Sequence, residues 1–224
     1  MNQRSPSVSL HVSGCFALFT RPEMKVERVS YDVITPSAAR GVLEAILWKP
    51  QMRWLIRRIT VLNPVRFSSF KRNEVASKIP STFRTWAREN KGGDGFYADA
   101  DRAQRNAVLL RDVAYVVDAE IELTDKASPD DNLNKYTEMF TRRVEKGQQF
   151  HQPYLGCREF PAAVRPTDGS EHPHKDLLGE HDLGWMLNDI VYDDGKPVEP
   201  RFFRAVMRDG VIDVPALEAE GVAA

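Results

Sequence analysis

Cysteine is scarce in this chain, and its scarcity excludes two common kinds of small protein. Cys15 and Cys157 are the only cysteines among 224 residues. Two distant cysteines cannot form a disulfide framework, and they do not have the spacing of zinc ligands. We therefore expect a reduced, cytoplasmic protein rather than a secreted one.

Long apolar runs and the common cofactor motifs are missing as well. No apolar segment approaches the ~20 residues of a membrane-spanning helix, and residues 1–6 lack the apolar core of a signal peptide. The chain has no Walker loop, no Gly-x-Ser-x-Gly turn and no zinc motif. His172 and His174 stand close together, but the acids near them are commonplace in a loop. The sequence therefore predicts neither a metal site nor a cofactor.

Charge is abundant, and the two signs are divided along the chain. Residues 1–111 hold 19 lysines and arginines against 9 aspartates and glutamates, whereas residues 112–224 hold 12 against 23. The net charge of −1 therefore hides a basic first half and an acidic second half. This asymmetry, with aromatic residues interleaved among the cations, favours a polyanion as the partner of the first half. Unevenly spread surface charge is the alternative.

Residues 35–50 predict a short helix with both ends marked. Thr35 is a suitable N-cap, and Pro36 fits the first helical turn because it has no N–H to leave unbonded. Pro50 forces a stop. Four apolar residues recur at helical spacing and form the buried stripe; they are Ala39, Val42, Leu43 and Ile46. A short helix between strands packs on one sheet face, so we expect the other face to be free.

The remaining pattern completes a ferredoxin-like, RRM-related α+β fold. Alternating apolar residues predict strands over 7–20, 52–62 and 108–123, and a weaker strand over 154–164. A second helix is predicted to follow an N-cap at Ser128, with Pro129 in its first turn, and to end at Gly147. The order is β-α-β-β-α-β, with a long insertion between the second and third strands.

Three more short strands are predicted over 183–192, 201–207 and 211–214, with a hairpin turn at Asp209-Gly210. We therefore expect a ferredoxin-like domain over residues 1–165, with a basic insertion at about 65–106. A small antiparallel β-sheet domain is expected over residues 166–224.

The insertion carries the densest mixture of cations and aromatic residues. Basic and aromatic side chains alternate over residues 65–73, which is typical of a ribbon that follows a nucleic-acid backbone. Residues 78–106 are polar and glycine-rich, and we expect them to be the least ordered part of the chain. Nucleic-acid contact and a solvated, weakly packed excursion both remain open for this segment.

Several short motifs, taken in chain order, resemble one known family. They are Phe19-Thr20-Arg21-Pro22, Ser30-Tyr31, residues 36–41, Trp48-Lys49-Pro50, Arg72-Asn73-Glu74 and residues 155–160. The chain resembles the type I-C CRISPR-associated RAMP endoribonucleases, the d (or c) branch of the fifth Cas family. The resemblance implies an RRM-related fold and cleavage of precursor CRISPR RNA at the repeat hairpin. It also implies that the product stays bound in the Cascade complex.

The resemblance implies three cleavage positions, of which one keeps the residue type of the family. An aromatic residue or histidine is expected before Trp48, where this chain has Leu47. Lys135 matches the family lysine and would stabilise the charge on the phosphorane. Tyr136 replaces the family histidine; it could orient the 2′-OH, or could be a plain core tyrosine, and it is a poor base unless Lys135 lowers its pKa. His151 is the remaining candidate imidazole.

Nine cations are expected to bind RNA: Arg21, Lys25, Arg28, Arg40, Lys49, Arg66, Lys71, Arg72 and Lys78.

Two functions are consistent with these cations and with the residues at the cleavage positions. One is a metal-independent endoribonuclease specific for the repeat hairpin, and the other is a non-catalytic subunit that binds the 5′ handle of the guide RNA and other Cascade subunits. A metal-dependent nuclease that uses acids such as Asp193 and Asp194 is a third possibility.

Overall fold

Two helices packed on an antiparallel sheet form the centre of the protein in the computed structural model. It describes residues 4–24, 26–79, 81–89, 97, 99–193, 196–217, 219 and 221–223. Its strands, in chain order, are β1 Val8–Ala17, β2 Arg28–Val29, β3 Met52–Val61, β4 Phe67–Val75, β5 Arg102–Leu123, β6 Ala163–Pro166, β7 Glu180–Asp193, β8 Lys196–Arg208, β9 Val211–Asp213 and β10 Val222–Ala223. The helices are α1 Pro36–Ile46, α2 Ser81–Glu89 and α3 Leu133–Glu145, with a 3₁₀ turn at Lys175–Leu177.

The order of the central strands is that of a ferredoxin-like fold. Hydrogen bonds join the strands in the order β10-β8-β9-β3-β5-β1-β6, while β2 and β4 pair with β5 and β7 pairs with β8. The inner group β3-β5-β1-β6 is antiparallel throughout, with α1 between β1 and β3 and α3 between β5 and β6. The predicted α+β, ferredoxin-like fold class is confirmed.

Helix α1 forms as its sequence predicts. The Ala38 N–H donates to the Thr35 hydroxyl oxygen at 3.2 Å, Pro36 occupies the first turn, and the predicted apolar stripe is buried. Trp54 of β3 packs against Phe140 of α3, with ring centroids 4.7 Å apart, and its indole N–H donates to the Leu47 carbonyl at 2.9 Å. Both helices therefore lie on one face of the sheet.

Helix α3 begins four residues later than the position predicted from an N-cap at Ser128. Its N-cap is Asn132, whose side-chain oxygen accepts from the Lys135 N–H at 2.8 Å. The N–H and hydroxyl of Ser128 both donate to Asp131 at 3.0 Å. This local turn keeps residues 128–131 outside the helix, since Ser and Asp side chains compete for the backbone near helix ends.

The predicted strand over 154–164 is wrong in its first part. Residues 155–160 form a closed turn in which the Leu155 N–H donates to the Phe160 carbonyl at 2.8 Å, and pairing as β6 begins at Ala163. Gly156 has φ +82°, and a Cβ there would lie 2.0 Å from the Leu18 carbonyl oxygen. The turn therefore packs directly on the backbone that follows β1.

The sequence predicts that the sheet face opposite the helices is free, and the structure shows that it is not. The segment 167–178 crosses part of this face, where the His174 N–H donates to the Leu62 carbonyl at 2.9 Å and Leu177 is buried. Elsewhere on this face two glutamates of β5 are paired with arginines of β3: Arg53 binds Glu122 and Arg57 binds Glu120. These glutamates are therefore neutralised by the neighbouring strand.

The insertion is more regular than its composition predicts. Residues 81–89 form α2, and β5 begins at Arg102 rather than at residue 108, so that β4 and β5 make a long hairpin arm. Residues 90–96 of the glycine-rich run lie outside the described residues. In the tail, β9 pairs with β3, and the division into domains at residue 165 stays a prediction.

The structure predicts that Gly156 is required by both its conformation and its position. Gly156→Ala should lower the free energy of unfolding by several kcal/mol, because the positive φ and the collision with a backbone carbonyl each cost roughly 1–3 kcal/mol. Gly147→Ala is the matched control, since Gly147 has φ +63° but nothing within 4 Å of its Cβ position. Urea unfolding of both variants measures the difference, and equal losses would contradict the packing argument.

Candidate active site and nucleic-acid interface

Lys135 and Tyr136 lie in the first turn of α3 and share one carboxylate. The side chain of Lys135 is half-exposed, and its ammonium lies 3.3 Å from Asp131 Oδ1 and 5.6 Å from the centroid of the Tyr136 ring. The Tyr136 hydroxyl donates to the same oxygen at 2.6 Å. Asp131 therefore joins the two residues, and it was not singled out from the sequence because the helix start was predicted too early.

The hydroxyl of Tyr136 is a hydrogen-bond donor and not a base. Tyr136 is 3% exposed, and burial, reinforced by the carboxylate of Asp131, raises its pKa to about 12. The hydrogen bond from Tyr136 holds the pKa of Asp131 well below its usual range. A role for Tyr136 as a base would require Lys135 to lower the pKa of Tyr136. In the structure that pKa is raised instead.

His151 lies beyond the opposite end of α3. Its backbone N–H donates to the Ala45 carbonyl at 3.3 Å, and its ring stacks on Tyr154 with centroids 6.3 Å apart. Lys135 is in the first turn of the helix and His151 follows its last, so the two ends are roughly 15 Å apart along the axis. The structure does not bring Lys135 and His151 together at one phosphate.

Leu47, at the position where the resemblance implies an aromatic residue or a histidine, is apolar and inaccessible to solvent. Leu47 is fully buried, and its carbonyl is bonded by Trp54. The next residue, Trp48, is 57% exposed. An aromatic surface thus exists one residue later than the resemblance implies.

Four of the predicted RNA-binding arginines are held by carboxylates of the protein itself. Arg40 binds Glu44 at 2.6 Å and Asp189 at 2.8 Å; burial alone would lower its pKa, but these two charges outweigh burial and raise it. Arg21 binds Asp32 at 2.8 Å, Arg28 binds Glu74 at 3.2 Å, and Arg72 binds Glu159. Arg40 therefore acts in the structure as a link between α1 and β7.

Four other predicted cations are exposed and have no ion pair within the part of the chain that the structure describes: Lys49, Arg66, Lys71 and Lys78. Lys25, the ninth, lies outside the described residues. These exposed cations are the ones free to meet a phosphate without first breaking an internal pair.

The basic and aromatic residues of β4 divide between its two faces. Phe70 and Arg72 point to the side that packs on β1, where Phe70 meets Phe16 with centroids 5.3 Å apart. Phe67 and Lys71 point to the other side and are exposed. Because side chains alternate along a strand, the two faces of the arm present different cations and aromatic rings.

The described residues hold no group of three or more histidine, cysteine or acidic side chains that could bind a metal ion. His174 instead accepts from the Asp176 N–H at 3.2 Å. Asp194 lies outside the described residues. No described helix is both long and apolar enough to cross a membrane.

The fold and these side chains define a ferredoxin-like, RRM-related protein with exposed cations on one arm. The family profile described as "CRISPR-associated protein (Cas_Cas5)" matches residues 7–215. The chain belongs to the Cas5d branch of this family, and the resemblance stated from the sequence is confirmed.

Curated relatives and solved structures agree with this assignment. A Mannheimia succiniciproducens protein named "CRISPR pre-crRNA endoribonuclease Cas5d" is 50% identical over 221 residues, covering 96% of this chain and 97% of its own. A Thermus thermophilus protein of the same name is 43% identical, covering 93% and 91%. A solved CRISPR-associated protein has a TM-score of 0.72 at 24% identity, and a functionally uncharacterized Streptococcus mutans protein has 0.70 at 23%; each match covers both chains fully. These two structures support the fold.

The raised pKa of Tyr136 predicts a loss of stability at high pH. A tyrosine whose pKa is higher in the folded state stabilises the fold fully below its unfolded pKa of about 10. This contribution is lost as the pH rises through the folded value of about 12. The difference in unfolding free energy between the unaltered protein and Tyr136→Phe should therefore shrink between these pH values, as measured by urea unfolding.

Asp131→Asn provides the control for the cause of this shift. Removing the carboxylate should lower the pKa of Tyr136 towards its ordinary value and narrow the pH range of the effect. A Tyr136→Phe difference that stays constant up to pH about 12 would contradict the assignment.

Proposed function

We propose that this protein is a CRISPR precursor-RNA endoribonuclease that binds the repeat hairpin and cleaves it without a metal ion. The observation that carries the proposal is the similarity of nearly the whole chain to two proteins named as CRISPR pre-crRNA endoribonucleases. We further propose that the protein acts in the cytoplasm and keeps its product as a subunit of Cascade.

In the proposed reaction the nucleophile comes from the RNA. The 2′-oxygen forms a bond to the adjacent phosphorus and its proton passes to a base. The bond from phosphorus to the 5′-oxygen breaks, and the departing 5′-oxygen takes up a proton. The products are a 2′,3′-cyclic phosphate and a 5′-hydroxyl. The protein must align these atoms and stabilise the charge of the phosphorane.

Lys135 is our candidate for that stabilisation, because its ammonium is half-exposed and is held by Asp131 at 3.3 Å. Tyr136 supports this role by donating to the same carboxylate oxygen at 2.6 Å. His151 could accept the proton only if the cleaved phosphate lay near the far end of α3, and there Lys135 could not reach it. Separate Lys135→Ala and His151→Ala variants therefore distinguish two positions for the cleaved bond.

One observation favours a second function, that of a non-catalytic subunit that binds the 5′ handle of the guide RNA. The position of the family histidine holds Tyr136, a buried phenol with a raised pKa. The position of the family aromatic holds the buried Leu47. A site with these two changes keeps its fold and its cations but has no imidazole in the first turn of α3.

The test is incubation of the purified protein with its own repeat RNA in the presence of a chelator. Cleavage should persist, should leave a 2′,3′-cyclic phosphate, and should stop when the nucleotide at the cut is 2′-deoxy. Lys135→Ala should slow the reaction about 10²–10³-fold, as the loss of one charge-stabilising group does elsewhere. Lys175→Ala removes an exposed lysine from the opposite sheet face and should not change the rate.

Two outcomes would reject the cleavage mechanism. A requirement for added divalent metal, or cleavage of the 2′-deoxy substrate, would show that the 2′-OH is not the nucleophile. Tight binding without any cleavage would favour the assembly subunit. Tyr136→His then has a defined use: it should restore or accelerate cleavage, because an imidazole titrates near neutral pH.

A further inference from the structure

Two cations of α3 and the lysine that caps its C-terminal end lie along a single exposed stripe. Lys135, Arg142 and Lys146 are spaced at i, i+7 and i+11, which places them within an arc of roughly 40° at about 100° per residue. All three are exposed, and neither Arg142 nor Lys146 has an ion pair among the residues that the structure describes. Glu138 and Glu145 fall on the other flank of the helix. The stripe is about 16 Å long at 1.5 Å per residue.

Two exposed aromatic residues stand beside the end of α1 that adjoins this stripe. Phe150 is 84% exposed and Trp48 is 57% exposed. The backbone N–H of Phe150 donates to the Ala45 carbonyl at 2.8 Å, and Trp48 follows the helix by two residues. Both rings are therefore anchored at the C-terminal end of α1.

A direct contact joins that end of α1 to α3. The guanidinium of Arg143 donates to the Ile46 carbonyl at 2.6 Å. Arg143 lies between the cation stripe and the buried face of α3, which holds Tyr136, Phe140 and Val144. The side of α3 that faces α1 is therefore adjacent to the stripe, and the backbone of Trp48 and of Phe150 lies at the neighbouring end of α1.

We propose that this surface, formed by Trp48, Phe150, Lys135, Arg142 and Lys146, binds a single-stranded segment of RNA. The cations follow the phosphates, and the two rings offer faces on which bases stack. A protein partner that covered the surface would bury Arg142 and Lys146, neither of which has an ion pair among the described residues, and burying an unpaired charge is costly. The inference rests on the proposed function, because it takes RNA to be the ligand.

The surface also accounts for the separation of Lys135 from His151. One RNA strand along α3 contacts Lys135 at the first turn and passes Phe150 and His151 after the last. The ring of Phe150 lies edge-on to His151 with centroids 5.9 Å apart. His151 then belongs to the end of the binding surface at which bases stack, while Lys135 contacts the phosphates at the other.

Binding of a labelled single-stranded uridine RNA, measured by fluorescence anisotropy, tests the proposal. Trp48→Ala and Phe150→Ala should each weaken binding about tenfold, as the loss of one stacked base does. The matched aromatic control is Trp185→Ala on β7, since Trp185 is 55% exposed.

The charge of the surface is tested by the salt dependence of binding. Arg142→Ala combined with Lys146→Ala should make the fall of log K with log salt less steep by about 1.4, because each contact to single-stranded phosphate contributes ~0.7. Lys175→Ala is the control for charge.

A blunt RNA duplex of equal length separates stacking from charge. The aromatic variants should bind the duplex as the unaltered protein does, because its bases are already stacked and cannot reach a ring. The proposal would be overturned if the aromatic variants bound single-stranded RNA normally, or if the control variants weakened that binding equally. It would also be overturned if the aromatic variants lost as much affinity for the duplex as for single-stranded RNA. Each substituted side chain is exposed, and an unchanged melting temperature verifies that the fold is intact.

Failure of the proposed function gives a different result. A protein that binds neither RNA at low salt would reject the proposed function and this surface together. A protein that binds RNA through these residues but cuts no repeat would reject cleavage and leave the surface supported.

Discussion

The end of α1 is the point on which the arrangement of the two helices depends. Its last carbonyls have no partner within the helix, and side chains from two other elements bind them: Trp54 donates to Leu47 and Arg143 donates to Ile46. Unbonded carbonyls at a buried helix end are costly. These bonds therefore fix α1 against β3 and α3 at once, and they set the position of Trp48 relative to the exposed face of α3.

The cations of the basic first half fall into two groups: some are paired with carboxylates of the protein, and others are exposed. The net charge of this half does not distinguish the two groups. Arg40, Arg28 and Arg72 satisfy carboxylates inside the fold, whereas Lys71 and Lys78 remain exposed. An arginine already held by two carboxylates gains little from a phosphate, because it must first lose those bonds. RNA affinity should therefore follow the unpaired cations rather than the net charge of the first half.

The sequence was sufficient where one local pattern decided the structure, as with Thr35, Pro36 and the apolar stripe of α1. It failed where two local patterns competed: Ser128 is a good N-cap, but its bonds to Asp131 close a turn, and Asn132 caps the helix instead. It also failed where the reason was distant. Only the approach of Leu18 to Gly156 explains the turn before β6, and only strand pairing shows which residues of the arm face outwards. For the site, the sequence identified Lys135 and Tyr136, but their link through Asp131 depended on the true helix start.

The tyrosine in the first turn of α3 limits the chemistry that this turn can perform. An imidazole there would exchange a proton near neutral pH, whereas Tyr136, buried and bonded to Asp131, keeps its proton until pH about 12. The tyrosine and Asp131 instead hold the Lys135 ammonium in place. Such a site can stabilise negative charge on a phosphate but leaves removal of the 2′-proton to another group. On the proposed function, the alignment of the bound RNA then becomes as important as the residue beside the cleaved bond.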